Sequence, residues 1–217
     1  MTPFNPFRIA ADLCHIASRV LLIHTIHHRQ SAEGLSLKTQ VLYFIVFVTR
    51  YVDLFWNWSI LYNIFFKIIY ILTTALTCYM IGIKYKGTYK DYQDRFNYLY
   101  LIIPAFVLCT IFNNNHKRPF EYMYSFSLFL ESVAILPQLV LLQEQESVEN
   151  ITGNYIFMLG FYRVLYIMNW IWRLATEQGY RAWIQWTCGI VQSLLYADFF
   201  YLYLKARANG KKLVLPG

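Results

Sequence analysis

The chain has 217 residues, of which 58% are hydrophobic, 19% aromatic and only 14% charged. A soluble domain of this size carries about 25% charged residues, so the composition excludes an ordinary soluble globular fold and points to an integral membrane protein. The net charge of +7 suits a surface facing anionic lipid or an acidic partner, and nothing in its distribution suggests nucleic acid.

Seven apolar segments fit the hydropathy, at about 4–26, 38–57, 62–83, 97–114, 120–142, 152–174 and 182–204. At ~20 residues per helical crossing they nearly exhaust the chain. A single seven-helix transmembrane domain is therefore expected over 1–217, ending in a short tail at 205–217. In the first span Arg8, Asp12, His15 and Arg19 interrupt the apolar run, which reads as a retained helix rather than a cleaved signal. Their spacing of four, three and four puts them on one helix face, as the wall of a polar cavity. In the second span Arg50 and Asp53 again stand at i,i+3, where an ion pair is the simplest reading. The third and fourth spans are nearly continuous apolar runs between Lys67 and Lys84 and between Arg95 and His116.

The fifth span carries Glu121, Tyr124, Ser125, Glu131 and Ser132, and then Pro137, which removes a backbone donor and should kink the helix. The sixth contains Tyr-Arg-Val-Leu-Tyr-Ile-Met-Asn-Trp-Ile-Trp-Arg from Tyr162 to Arg173. On a helix Tyr162, Tyr166, Asn169 and Arg173 share one face, flanked by Arg163 and Trp170. A guanidinium in hydrocarbon costs several kcal/mol and must face protein or water, so this face reads as one side of an anion-binding cavity. The seventh span has Asp198 as its only intramembrane charge and is expected to turn it inward.

With the N-terminus outside, the short inner loops hold Arg29, Lys38, Lys84, Lys86, Lys90, Arg95, Lys205, Arg207, Lys211 and Lys212. The outer loops hold Lys117, Arg118 and Arg181. The excess on one side orients the chain with its C-terminus in the cytosol. The cysteines (Cys14, Cys78, Cys109, Cys188) show no metal-ligand spacing and the chain has no HExxH or GxSxG. Neither a metal, a cofactor nor an enzymatic activity is expected.

Several blocks taken together resemble the KDEL/HDEL receptors, the ER lumen protein-retaining receptor family. They are Phe7-Arg8 with Asp12 and His15, Gly34-Leu35-Ser36 with Lys38-Thr39-Gln40, and Thr49-Arg50-Tyr51 with Asp53-Leu54. To these are added Leu130 to Gln138, Tyr162-Arg163, Asn169 to Arg173, Asp198 to Tyr201 and Gly210 to Leu213. The resemblance runs from the first helix to the last. It implies an all-α, SWEET/PQ-loop-like bundle, two three-helix repeats joined by the fourth helix. It also implies a multi-pass receptor of the endoplasmic reticulum and Golgi. Such a receptor binds C-terminal Lys/His-Asp-Glu-Leu signals in the acidic Golgi, returns with them in COPI vesicles and releases them near neutral pH.

On that resemblance, Arg50 and Arg163 gather the terminal carboxylate, Arg8 the glutamate and Arg173 the aspartate. Glu121 and Tyr124 meet the first signal residue and Trp170 walls the site. His15 is the pH sensor, Glu131 and Tyr162 share a proton, and Asp53 and Asp198 belong to the same network. Lys205, Arg207, Lys211 and Lys212 would form a coat-binding signal, masked by Glu144, Glu146 and Glu149. Two departures stand out: Tyr124 lies where relatives often carry tryptophan, and the 174–182 loop differs, with Arg181 near where they place an acid. A small-solute transporter of the same fold class is the main rival, although several fixed cations suit a held peptide better than a neutral solute.

Overall fold

In a computed structural model, residues 5–55, 61–113, 119–143 and 150–209 are described, and they are almost entirely helical, with no strand among them. Helix α1 spans Pro6–Arg29. Asn5 caps it by accepting the Arg8 N–H at 2.8 Å, and Pro6 supplies the fixed φ that suits a first helical position. Helix α2 (Leu37–Arg50) starts at Ser36, whose hydroxyl accepts from the Thr39 N–H at 3.1 Å. The second span is shorter than expected: α2 stops at Arg50 and a 3-10 turn covers Val52–Phe55. Arg50 and Asp53 thus share no helix face, and the expected pair between them gives way to other partners.

Helix α3 (Leu61–Tyr79) continues through a π-helical turn at Met80–Lys84. Helix α4 (Leu99–Phe112) is apolar all round and has Pro104 inside it. The fifth span is two helices, α5 (Pro119–Val133) and α6 (Leu136–Gln143). The break at Ala134–Ile135 sits where Pro137 withholds the N–H that Val133 would accept, and Ala134 N–H makes a long bond three residues back to Glu131 O at 3.4 Å. Helices α7 (Asn150–Thr176) and α8 (Trp183–Ala208) are the last of the described helices.

Three helical stretches, Pro6–Arg29, Leu61–Lys84 and Pro119–Gln143, are long and apolar enough to cross a membrane. On α3 the exposed residues Leu61, Phe65, Ile68, Leu72 and Leu76 form one i,i+4,i+7 stripe. An apolar patch of that extent is atypical of a water-facing surface and fits contact with lipid.

Packing sets the frame of the site. Helix α1 lies along α7 and α3, α2 along α5 and α3, and α8 along α5 and α7. A buried polar knot pins α6 to the start of α2. Gln138 accepts from Ser36 N–H at 2.9 Å and donates to Gly34 O at 2.9 Å, while Ser36 Oγ donates to Asp94 at 3.0 Å. Gly34 has φ 78°, a left-handed conformation that favours glycine. Tyr89, in the α3–α4 connection, also donates to Asp94 at 2.7 Å. Burial and that hydrogen bond both push its phenol pKa up.

Candidate functional site

A cavity of about 620 Å³ opens at the end where α1, α3, α5 and α8 begin and α2 and α7 finish. Its depth is set by one carboxylate. Glu131, 2% exposed on α5, meets the Arg50 guanidinium of α2 at 2.7 Å and the Arg163 guanidinium of α7 at 2.7 Å. Tyr162 Oη donates to the same carboxylate at 2.9 Å. Arg50 also donates from Nε to Ser127 Oγ at 3.1 Å and from Nη2 to Ser127 O at 3.2 Å. Two cations on one anion leave this floor with a surplus positive charge, the condition for receiving a second carboxylate.

His15 lies beside this cluster. Its ring is sandwiched between Tyr162, at 4.1 Å and 3° between planes, and Tyr70, at 4.6 Å, and its Nε2 has no hydrogen-bond partner among the described residues. Asp12, one turn nearer the mouth, accepts from Tyr62 at 2.9 Å and from Tyr166, and faces Arg8 Nε at 3.8 Å. The acid on that stripe thus belongs to the tyrosines and Arg8 rather than to His15.

Nearer the mouth, Arg8 donates to Asn63 Oδ1 at 2.8 Å. Arg173 grips Glu177 through its Nε–Nη2 edge at 3.0 and 2.8 Å, and its guanidinium lies 4.2 Å from the centre of the Tyr180 ring. Asp53 pairs with Lys67 at 2.6 Å. Gln185 of α8 donates to Tyr124 Oη at 2.6 Å, and Asn5 to Asn169 Oδ1 at 2.6 Å. Trp170 is held by Gly189, where a Cβ would run into the indole, and lies 5.8 Å from Trp186. Among the described residues no group of three His, Cys, Asp or Glu side chains converges to hold a metal.

Arg8, Arg50, Glu121, Tyr124, Arg163, Trp170 and Arg173 all line this one cavity, with His15, Glu131, Tyr162 and Asp53. Two expectations of facing are corrected. Asp198 is exposed on α8 and lies outside the cavity, because the buried stripe of that helix runs through Gln192, Tyr196, Phe199 and Tyr203, about 120° away around the axis. Arg19 is fully buried below the cavity instead of lining it. Lys205 is exposed at the far end of α8. The side chain of Arg207, and Glu144, Glu146, Glu149, Lys211 and Lys212, lie outside what is described. Sequence reasoning overlooked Asn63, Lys67 and Tyr70, which line the wall from α3. Their i,i+4,i+7 spacing was the available signal. Glu177, Gln185 and Gly189 carried none.

Residues 31–173 match the sequence profile described as ER lumen protein retaining receptor. The chain is 48% identical over 213 residues to the ER lumen protein-retaining receptor of Entamoeba histolytica, covering 98% of this chain and 99% of that one. It is 45% identical over 214 residues to the receptor of Petunia hybrida, with the same coverage. It is 44% identical over 212 residues to human ER lumen protein-retaining receptor 2, again over 98% and 99% of the two chains.

Proposed function

Because this chain belongs to the ER lumen protein retaining receptor family, we propose that it binds the C-terminal KDEL/HDEL-type signal of soluble ER proteins and carries them back by COPI vesicles. Binding is promoted in the acidic Golgi and reversed near neutral pH. The observation that carries this reading is the charge plan of the cavity. A largely buried floor holds two arginines on one glutamate, and two more arginines stand nearer the mouth. A tetrapeptide ending in Asp-Glu-Leu brings three carboxylates of its own, and arginine matches carboxylates bidentately. Arg50 and Arg163 take the terminal carboxylate beside Glu131, Arg8 the glutamate and Arg173 the aspartate. Glu121, Tyr124 and Trp170 surround the first residue. His15, with Glu131 and Tyr162, supplies the pH response, and Asp53 with Lys67 shapes the mouth.

Seven crossings, with α5 and α6 as one kinked span, form a single domain of two repeats joined by α4. The principal packing pairs support this reading. Exchanging α1, α2 and α3 with α5, α7 and α8 turns the α1–α7 contact into α5–α2, α1–α3 into α5–α8 and α2–α3 into α7–α8. The cavity then faces the lumen and Lys38, Lys84 and Lys205 lie at the opposite, cytosolic end, while the coat signal is read from the sequence as Lys205, Arg207, Lys211 and Lys212. A solute transporter would need a path through the floor. Below His15 and Tyr162 that path is blocked by the side chains of Arg19, Tyr43, Tyr155 and Tyr196, each no more than 1% exposed.

The test is binding of an HDEL tetrapeptide and its C-terminal amide to purified receptor between pH 5 and 7.5. The acid should bind more tightly as pH falls, and the amide should bind at neither extreme. Equal binding of the two would remove the carboxylate from the recognition and this reading with it.

A further inference from the structure

The most exceptional side chain in the interior is one that the cargo site does not use. Arg19 is 0% exposed on α1, one turn below His15. Its Nη1 donates to Gln40 Oε1 at 3.0 Å, and its guanidinium lies 4.6 Å from the Tyr43 ring centre and 5.5 Å from that of Phe47. Its Nε and Nη2 have no hydrogen-bond partner among the described residues. Those two atoms form the edge by which Arg173 grips the Glu177 carboxylate. At Arg19 no carboxylate of a described residue stands there.

A buried lysine or acid in this position would neutralise itself by giving up or taking on a proton. An arginine cannot, since its guanidinium keeps its charge in proteins. Nearby charges do not cancel it. Glu131 is shared by Arg50 and Arg163, and Asp12 is engaged by Arg8, Tyr62 and Tyr166. Among the described residues, Arg19, Arg50 and Arg163 against Glu131 leave two positive charges uncompensated. Gln40 is neutral and donates a hydrogen bond from its own Nε2 to Tyr155 Oη at 3.1 Å. Water could satisfy the free N–H groups but would leave the charge uncompensated.

We propose that the Nε–Nη2 edge of Arg19 binds a small monovalent inorganic anion of the chloride class. Its neighbour His15 Nε2, equally without a partner and about 6 Å away between Cβ atoms on the same face, offers a second donor. Arg19 itself is not among the residues lining the cargo cavity, so the two sites meet only at His15.

The experiment is thermal unfolding of the detergent-solubilised full chain in sodium gluconate and in sodium chloride at equal ionic strength, without peptide. The parent midpoint should rise by about 3–6 °C when chloride reaches ten times its Kd. Arg19→Met should lose that rise while still binding HDEL peptide, and should match or exceed the parent in gluconate, since a buried unpaired charge has been replaced by an apolar chain. Should that variant fail to fold, Arg19→Lys keeps the charge without the fork and should show a reduced rise. Bromide soaked into crystals should give an anomalous peak at Arg19. A parent insensitive to chloride, an equal rise in parent and Arg19→Met, or bromide found only at the exposed arginines would each overturn the proposal.

Discussion

Replacing Glu131 with glutamine tests the floor most directly. The change is isosteric, so the consequence is electrostatic. It removes the anion that Arg50 and Arg163 share at 2.7 Å each and that accepts from Tyr162 at 2.9 Å. Among the described residues Arg50 keeps Ser127 and Arg163 keeps Tyr162 Oη at 3.2 Å, and the glutamine carbonyl offers them a neutral acceptor. Two unscreened like charges then face each other in a site 2% exposed at Glu131. Breaking a buried pair in this way costs about 3–5 kcal/mol, and at about 2–4 °C per kcal/mol for a chain of this length the midpoint should fall by roughly 6–20 °C. If the cargo carboxylate docks on these arginines, HDEL peptide supplies the missing anion, and its stabilising shift should be larger in the variant than in the parent. The assay is a thermal melt with and without peptide. A Glu131→Gln midpoint within about 2 °C of the parent, the effect of a surface substitution, would refute the reasoning.

Three further outcomes are expected. Arg173→Ala should fold normally but lose peptide affinity; its side chain is 26% exposed, so the low end of the usual range applies, about 2 kcal/mol or roughly thirty-fold in Kd by titration calorimetry. If protonation promotes binding, the bound state holds the switch proton more tightly than the free state. Kd then falls with pH by at most about one decade per unit for a single linked proton, and His15→Ala should flatten that slope. An unchanged slope assigns the proton to Glu131 and Tyr162. Gly189→Ala drives a methyl into Trp170, an overpacking cost of about 1–3 kcal/mol, and should weaken peptide binding and lower the melting midpoint together.

Much of the site was legible because charge in an apolar span is costly and helical spacing says which side it faces. The stripe of Arg8, Asp12 and His15 and the face from Tyr162 to Arg173 both followed from that logic. The same logic overreached at Asp198, since a single charge on a helix defines no stripe and the neighbouring tyrosines and Phe199 decide the buried face. It also paired Arg50 with Asp53 by local spacing. The α2 terminus at Arg50 and the partners on α3 and α5 are tertiary facts that no i,i+3 rule contains. The kink at Pro137 was readable in advance, and the Ser36–Gln138–Asp94 knot that fixes α6 was not, because its members lie up to 102 residues apart. Gly189 escaped notice because a glycine's purpose is visible only in what approaches it.

Glu131 and Glu177 give the cavity an unusual character: three of its arginines already hold carboxylates of the same chain. A carboxylate tethered to the same chain acts at a high effective concentration, so a visiting acid must exchange with a resident one or share its cation rather than meet bare charge. Loose anions such as lipid headgroups or acidic loops of passing proteins, arriving singly and poorly aligned, gain little from that exchange. A chain end that presents several carboxylates at fixed spacing can engage the separate arginines together. The cavity would then reject by incumbency what it does not need to recognise by shape.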